Sequence, residues 1–153
     1  MRLPVLICAS VLVFGCTALA QEKPMAGKPD PAELIRAVKS SRKDPAKALE
    51  AVKELVAQGA DVNYVDRYGV TPLGYAADTG DLEMTKFLWS KGARHDAGKE
   101  RPLTIAAGRG RLEIVRFYIE NGVPAGTPSS QGKTALEIAQ RWNQTEITEY
   151  LKS

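Results

Sequence analysis

A stretch of sequence recurs along this 153-residue chain with a period close to 33 residues. Thr71, Arg101 and Thr134 stand at equivalent positions of three similar stretches, 30 and 33 residues apart. A second series agrees with the first at spacings of 33 and 30 residues, and it consists of Gly59, Gly92 and Gly122. Such a period is typical of a solenoid, in which a repeat cannot bury its apolar face alone and must stack against its neighbours.

The residues within one repeat predict a pair of short helices. Pro72 suits a first helical turn, where its missing N–H group is not needed. Leu73, Ala76 and Ala77 then fall at positions i, i+3 and i+4, which places them on one apolar stripe. Gly80 is suited to end this helix in a left-handed conformation. A second apolar pattern follows over 82–89 and ends at a glycine, and the segments between repeats, such as 94–101, are predicted to be extended hairpin loops.

The stretch Thr71-Pro72-Leu73 followed by Ala76-Ala77 resembles the ankyrin-repeat motif T-P-L-H-x-A, with Gly74 in place of the histidine. The resemblance implies an all-α ankyrin-repeat solenoid of about four helix-turn-helix repeats, at about 32–65, 66–97, 98–128 and 129–153. The end repeats depart from the pattern, as capping repeats do. The first repeat is about six residues longer than the 33-residue period. The last repeat carries polar Gln140 and Lys152 at positions that are apolar in the other repeats.

Residues 1–31 differ from the rest in composition. Arg2 is followed by an apolar run to Phe14 and by Ala18-Leu19-Ala20, so we expect residues 1–20 to be a signal peptide that is cleaved after Ala20. The alternative is a lipid anchor at Cys16, because the preceding residues resemble a lipobox. Residues 21–31 contain three prolines and are predicted to be a flexible linker. We therefore expect a periplasmic or secreted protein of the bacterial envelope.

Composition disfavours several classes of protein. Both cysteines, Cys8 and Cys16, lie within the predicted signal peptide, so the remaining chain has no thiol for a disulfide, a nucleophile or a zinc site. Removal of Arg2 leaves 20 basic against 18 acidic residues, a net charge of +2 that is too small for a nucleic-acid footprint. We expect no catalytic residue, no metal and no cofactor. The Gly-Lys pair at 132–133 lacks the spacing of a phosphate-binding loop, and the basic cluster at 39–43 is interpreted as a solvated loop, with contact to an anion as the alternative.

The resemblance implies that the hairpin tips and the outward positions of the first helices bind a partner protein. Tyrosine, tryptophan and arginine commonly anchor such interfaces. The candidate residues in the hairpins are Arg67, Tyr68, Val70, Lys99, Glu100, Gln131 and Lys133. Those on the first helices are Tyr75, Asp78, Ile105, Arg109, Arg141 and Trp142. Tyr75, Ile105 and Ile138 occupy one equivalent position in three repeats, so packing between repeats is an equal alternative for them.

Three functions stay open on the sequence. The chain resembles small exported bacterial ankyrin-repeat proteins encoded beside enzymes such as catalases, which implies a monomer that binds and stabilises a periplasmic enzyme. A second possibility is an immunity protein that inhibits a secreted toxin. A third is a hydrolase with a groove site formed by His95, Asp78 and Arg109. A structural or surface role for His95, the single histidine, is favoured over catalysis because no second ligand or base is spaced to assist it.

Overall fold

A computed structural model describes residues 28–153, and these residues form eight α-helices and no strand. The helices are α1 (Pro31–Ser40), α2 (Pro45–Ala57), α3 (Pro72–Thr79), α4 (Leu82–Ser90), α5 (Pro102–Gly108), α6 (Leu112–Glu120), α7 (Ala135–Arg141) and α8 (Thr145–Lys152). They form four consecutive pairs, which confirms the prediction of an all-α solenoid. The predicted signal peptide, the cleavage site after Ala20, Cys16 and most of the predicted linker lie outside the described residues.

Helix starts are fixed by side chains that accept hydrogen bonds from the first turn. Asp30, Asp44, Thr71 and Asp81 each accept one from a backbone N–H group at the start of α1, α2, α3 and α4. The linker was predicted to extend to Pro31, whereas α1 already begins there, because the Asp30 cap and a proline in the first turn both favour a helix start. Arg101 stands at the capping position of α5 and provides no such bond.

The predicted apolar stripe is buried between repeats. Leu73, Ala76 and Ala77 of α3 are inaccessible to solvent, and their counterparts Leu103, Ala106 and Ala107 in α5 are buried in the same way. In α7, Ala139 is buried, whereas Leu136 is half-buried and Gln140 is exposed. The inner helices α1, α3, α5 and α7 pack closely in one row, because small residues line their contacts. A Cβ atom at Gly108 would lie 3.0 Å from Cγ2 of Ile138. The outer helices α4, α6 and α8 contact one another more sparsely.

The outer helices cover the other side of the core. Met84, Leu88, Ile114 and Val115 are buried between the two rows, together with the ring of Tyr118. The Trp89 ring packs against Tyr118 at a centroid distance of 5.8 Å. The predicted apolar faces of α4 and α6 therefore meet as expected.

Neighbouring hairpin loops are joined by backbone hydrogen bonds. The carbonyl oxygen of Gly69 accepts from the amides of Lys99, at 2.8 Å, and Glu100, at 3.2 Å. Asn63 bridges the bases of two loops by donating to the Gly92 carbonyl. The loops thus extend the stack beyond the inner helices and form one wall beside them.

Candidate functional site

A groove of about 580 Å³ runs along the inner face between the hairpin loops and the inner helices. Three consecutive repeats contribute to it through α3, α5, α7 and the loops before them. Its lining consists of Val70, Gly74, Tyr75, Asp78, Glu100, Thr104, Ile105, Gly108, Arg109, Gln131, Ile138 and Trp142. A groove built in this way repeats one set of helix positions from repeat to repeat.

The floor of the groove is apolar. Ile105 and Ile138 lie along it in neighbouring repeats, and Trp142 forms its far edge with 63% of its surface exposed. The indole lies over Gly108, since a Cβ atom there would be 3.7 Å from Cδ1 of the ring. Gly74 and Gly108 give the groove its depth because they carry no side chain into it.

The side chains at the recurring apolar position both pack between repeats and line the groove. Tyr75 and Ile105 are half-buried, pack against the core and also line the groove. Ile138 lines the groove and lies against Gly108 of the preceding repeat. These side chains serve packing between repeats with one face and remain available to a ligand with the other.

One end of the groove carries an ion cluster. The side chain of Asp78 is 18% exposed and pairs with Arg109, whose Nε lies 2.5 Å from Oδ1 of the carboxylate. Its other oxygen accepts a hydrogen bond from Arg42. Arg42 comes from the loop after α1, within the cluster for which contact with an anion was the alternative interpretation. The anion that it meets is Asp78.

A second cluster supports the hairpin side of the groove. The hydroxyl of Tyr75 donates to Oδ2 of Asp66 at 2.6 Å, and burial together with this bond raises the pKa of Tyr75. Burial raises the pKa of Asp66, but the bonds from Tyr75 and from the amides of Val70 and Tyr68 outweigh it, so the pKa lies below its usual value. The ammonium of Lys39 lies 4.0 Å from the centre of the Tyr75 ring. The loop before α3 is therefore held to its helix.

Eight of the thirteen predicted interface residues line the groove, and the others lie outside its lining. Arg67 and Tyr68 form a separate exposed pair at a hairpin tip, where the guanidinium lies 4.7 Å from the ring centre and donates to the phenol oxygen. Lys99, Lys133 and Arg141 do not line the groove either. Whether Arg67, Tyr68, Lys99, Lys133 and Arg141 contact a partner stays a prediction.

The hydrolase alternative requires His95 beside Asp78, and the structure does not bring them together. His95 stacks on Trp89 of α4 with 6.1 Å between ring centres, and it is absent from the groove lining. Asp78 is engaged by two arginines. Residues 28–153 contain no group of three or more metal-ligating side chains. Over that same range, no helix has the length and apolarity needed to cross a bilayer.

Four residues of the site were missed on the sequence: Gly74, Thr104, Gly108 and Arg42. Gly74 and Thr104 are equivalent in the repeat alignment, and Gly108 is equivalent to Asp78. The periodicity that selected Asp78 would have found Gly108. Arg42 has no counterpart in the other repeats, so no sequence signal linked it to the groove.

Comparisons with known proteins agree with the architecture. Two family models described as ankyrin repeats match residues 34–88 and 92–139. The transient receptor potential cation channel subfamily A member 1 homolog of Caenorhabditis elegans is 37% identical over 89 residues, which is 57% of this chain and 7% of the relative. The B-cell lymphoma 3 protein homolog of Mus musculus is 34% identical over 95 residues, which is 60% of this chain and 21% of the relative.

A mouse protein named for ankyrin repeat, SAM and basic leucine zipper domains is 31% identical over 107 residues, which is 65% of this chain and 22% of the relative. The chain thus spans less than a quarter of the length of each of these three relatives. What is shared is the repeat array itself, the part that the two family models match and that the four helix pairs display. The chain belongs to the ankyrin-repeat family, whose repeats indicate a protein–protein interaction module.

Proposed function

We propose that this chain is a non-catalytic module that holds a partner protein against the groove between its hairpin loops and inner helices. The observation that carries the proposal is the convergence of eight predicted interface residues on one groove. They come from three repeats and open onto the same groove.

The chemistry of the groove suits recognition of a protein. Trp142 is 63% exposed beside a floor of isoleucines, and exposed aromatic rings next to arginine are the usual anchors of protein interfaces. An exposed tryptophan costs solvation free energy that contact with a partner would recover. Asp78 and Arg109 add polar groups that can fix the orientation of the bound surface.

The location of this activity is also part of the proposal. The apolar residues 3–14 and the small residues 18–20 support export, and the absence of cysteine beyond Cys16 suits an oxidising compartment. The partner would then be a protein of the bacterial envelope, in the first place an enzyme that the module stabilises. A secreted toxin is the alternative partner.

The test is capture of partner proteins by the full chain, expressed in its own host and recovered from the envelope. Trp142→Ala should lose the partner that the parent chain captures. The control Lys86→Ala changes an exposed residue of α4 on the outer row and should retain it. Undiminished capture by the Trp142 variant would place the interface elsewhere. The intact mass of the exported chain decides between cleavage after Ala20 and lipidation at Cys16.

A further inference from the structure

The ion cluster at one end of the groove carries a net positive charge, and this charge indicates the chemistry of the ligand. We propose that the groove takes a short acidic peptide segment of the partner protein. A carboxylate of the segment lies between Arg42 and Arg109, and an adjacent apolar side chain lies on Ile105, Ile138 and Trp142. The inference rests on the proposed function and adds the kind of peptide sequence in the partner that the groove binds.

Two guanidinium groups share a single carboxylate at the end of the groove. Arg42 and Arg109 together carry two positive charges against the one negative charge of Asp78, which leaves a net charge of +1. Their side chains are 59% and 61% exposed, whereas Asp78 is 18% exposed between them. Each guanidinium has five N–H donors, so donors remain that Asp78 does not engage. A second carboxylate, supplied by a ligand, would complete the cluster with charge-assisted hydrogen bonds.

The other carboxylates on this face are already engaged by groups of the chain itself. Asp66 accepts from Tyr75 and from backbone amides, Glu100 accepts from the Ser130 hydroxyl at 2.6 Å, and Glu137 accepts from Thr134. They keep their negative charge, but these internal hydrogen bonds occupy part of the acceptor capacity that a basic ligand would need.

Two cations outside the groove lining are less engaged. Within residues 28–153, the side chains of Lys99 and Arg141 form no ion pair or hydrogen bond. Lys99 belongs to the hairpin wall, and Arg141 ends the last inner helix. The positive charge that favours a negatively charged partner segment over a basic one is therefore that of the Arg42, Asp78 and Arg109 cluster.

The cationic end and the apolar floor are adjacent in the structure. Arg109 follows Gly108 directly, and the Trp142 indole lies over Gly108. An acidic side chain at the arginines therefore brings its neighbours in the peptide onto the tryptophan and the isoleucines. The groove volume of about 580 Å³ is large enough for a short segment of chain. The preferred ligand is an acidic residue beside an aromatic or aliphatic one.

The experiment selects binders from a random peptide library displayed on phage, with the full chain as target. We expect the selected sequences to be enriched in aspartate or glutamate next to an aromatic or aliphatic residue. A synthetic copy of one binder should lose about tenfold in affinity when its acidic residue is changed to the amide. Its affinity should also fall as the salt concentration rises. Neither of these two measurements requires a variant of the protein.

Matched variants of the chain then locate the contact. Arg109→Gln should weaken binding of the acidic peptide about as much as the amide change in the peptide does. Combining the two changes should lower the affinity little more than either change alone. The control Arg36→Gln alters another exposed arginine, which pairs with Asp30 at 3.3 Å away from the groove, and it should leave the affinity unchanged.

Several results would overturn the inference. Selection of neutral or basic sequences, no selected peptide at all, or equal binding by Arg109→Gln and the parent chain would each do so. If polyglutamate bound with the same affinity as the selected peptide, the apolar contacts would not contribute to binding. The groove would then be a general polyanion site. If partner capture depended on Trp142 while the library gave no acidic binder, the proposed function would stand and this inference would fail.

Discussion

The Nε atom of Arg109 lies 2.5 Å from Oδ1 of Asp78, so an ion pair links α3 to the residue that follows α5 in the next repeat. Arg42 of the first repeat engages the same carboxylate, and Asp78 thereby connects three repeats. In a solenoid, stability is approximately a sum over repeats and their interfaces, so a contact that spans two interfaces acts on both.

Replacing Asp78 with asparagine should lower the free energy of unfolding by about 1 kcal/mol at low salt, because two guanidinium groups then face each other without the carboxylate between them. The arginines are largely exposed, and solvent screening keeps the effect small. Urea denaturation at low and high salt measures it, and the difference should shrink at high salt.

The matched control is Glu113→Gln. Glu113 pairs with Arg116 at 3.8 Å on the exposed side of α6, within one repeat. We expect almost no change in the free energy of unfolding for this variant. Equal effects of the two substitutions would show that Asp78 does not couple the repeats.

Leu103→Ala should lower the free energy of unfolding by about 2–5 kcal/mol, because Leu103 is 2% exposed and the surrounding helices cannot close around the space that it leaves. Val65→Ala is the control, since Val65 is 38% exposed in a loop. Denaturant titration followed by circular dichroism compares the two. A Leu103 variant as stable as the parent chain would contradict the alignment of the repeats.

The fold could be predicted from the sequence because its signals are local and recur. A proline in the first turn, a leucine one residue later and a pair of alanines after it define the inner helices α3 and α5 within a few residues. The recurrence of Gly59, Gly92 and Gly122 fixes the spacing independently. Stacking then follows from the need of each pair to cover its apolar face.

The composition of the groove could be predicted only in part, because it depends on how neighbouring repeats are placed. Arg42 reaches Asp78 across 36 positions of sequence from a loop that is longer than its counterparts. The groove is deep at Gly74 and Gly108 because these residues have no side chain. A glycine gives no chemical signal of a binding position in the sequence. The pattern selects Lys99, Lys133 and Arg141 as partner-binding residues of the hairpins and the first helices, and their positions lie outside the groove lining.

Gly98→Ala should destabilise the chain, because two effects combine at this position. Its φ angle is +85°, which L side chains rarely adopt, and a Cβ atom would lie 2.7 Å from the carbonyl oxygen of Gly69. That oxygen accepts the hydrogen bonds that join two hairpins. We expect a loss of about 2 kcal/mol in the free energy of unfolding, measured by urea denaturation.

Two other glycines separate the causes. Gly92 has a φ angle of +83° with open space around it, so Gly92→Ala should cost about 1 kcal/mol from backbone strain alone. Gly126 has neither feature, and Gly126→Ala should be neutral or slightly stabilising. If Gly98→Ala, Gly92→Ala and Gly126→Ala were equally stable, the close contact between the hairpins would not contribute to the free energy of unfolding.

Tyr118→Phe should stabilise the chain by about 1 kcal/mol. The hydroxyl of Tyr118 is buried in α6 and has no hydrogen-bond partner among the described residues, so folding removes it from water without compensation. Burial also raises the pKa of this phenol. Thermal unfolding followed by calorimetry measures the change, and a clear loss of stability in the phenylalanine variant would show that the hydroxyl is engaged in solution.

Tyr75→Phe should act in the opposite direction and should change the pH dependence of stability. The folded pKa of Asp66 lies below its usual value, so the carboxylate stabilises the fold fully above the unfolded pKa and loses this contribution as the pH falls through the folded value. The Tyr75 hydroxyl is one of the donors that lower this pKa. Without it, the folded pKa of Asp66 should rise toward the unfolded value, and part of the acid-sensitive stability should disappear. Denaturation at neutral and acidic pH, together with an NMR titration of the Asp66 carboxyl, tests this. If the titration of Asp66 were the same in both chains, the hydrogen bond between Tyr75 and Asp66 would not form in solution.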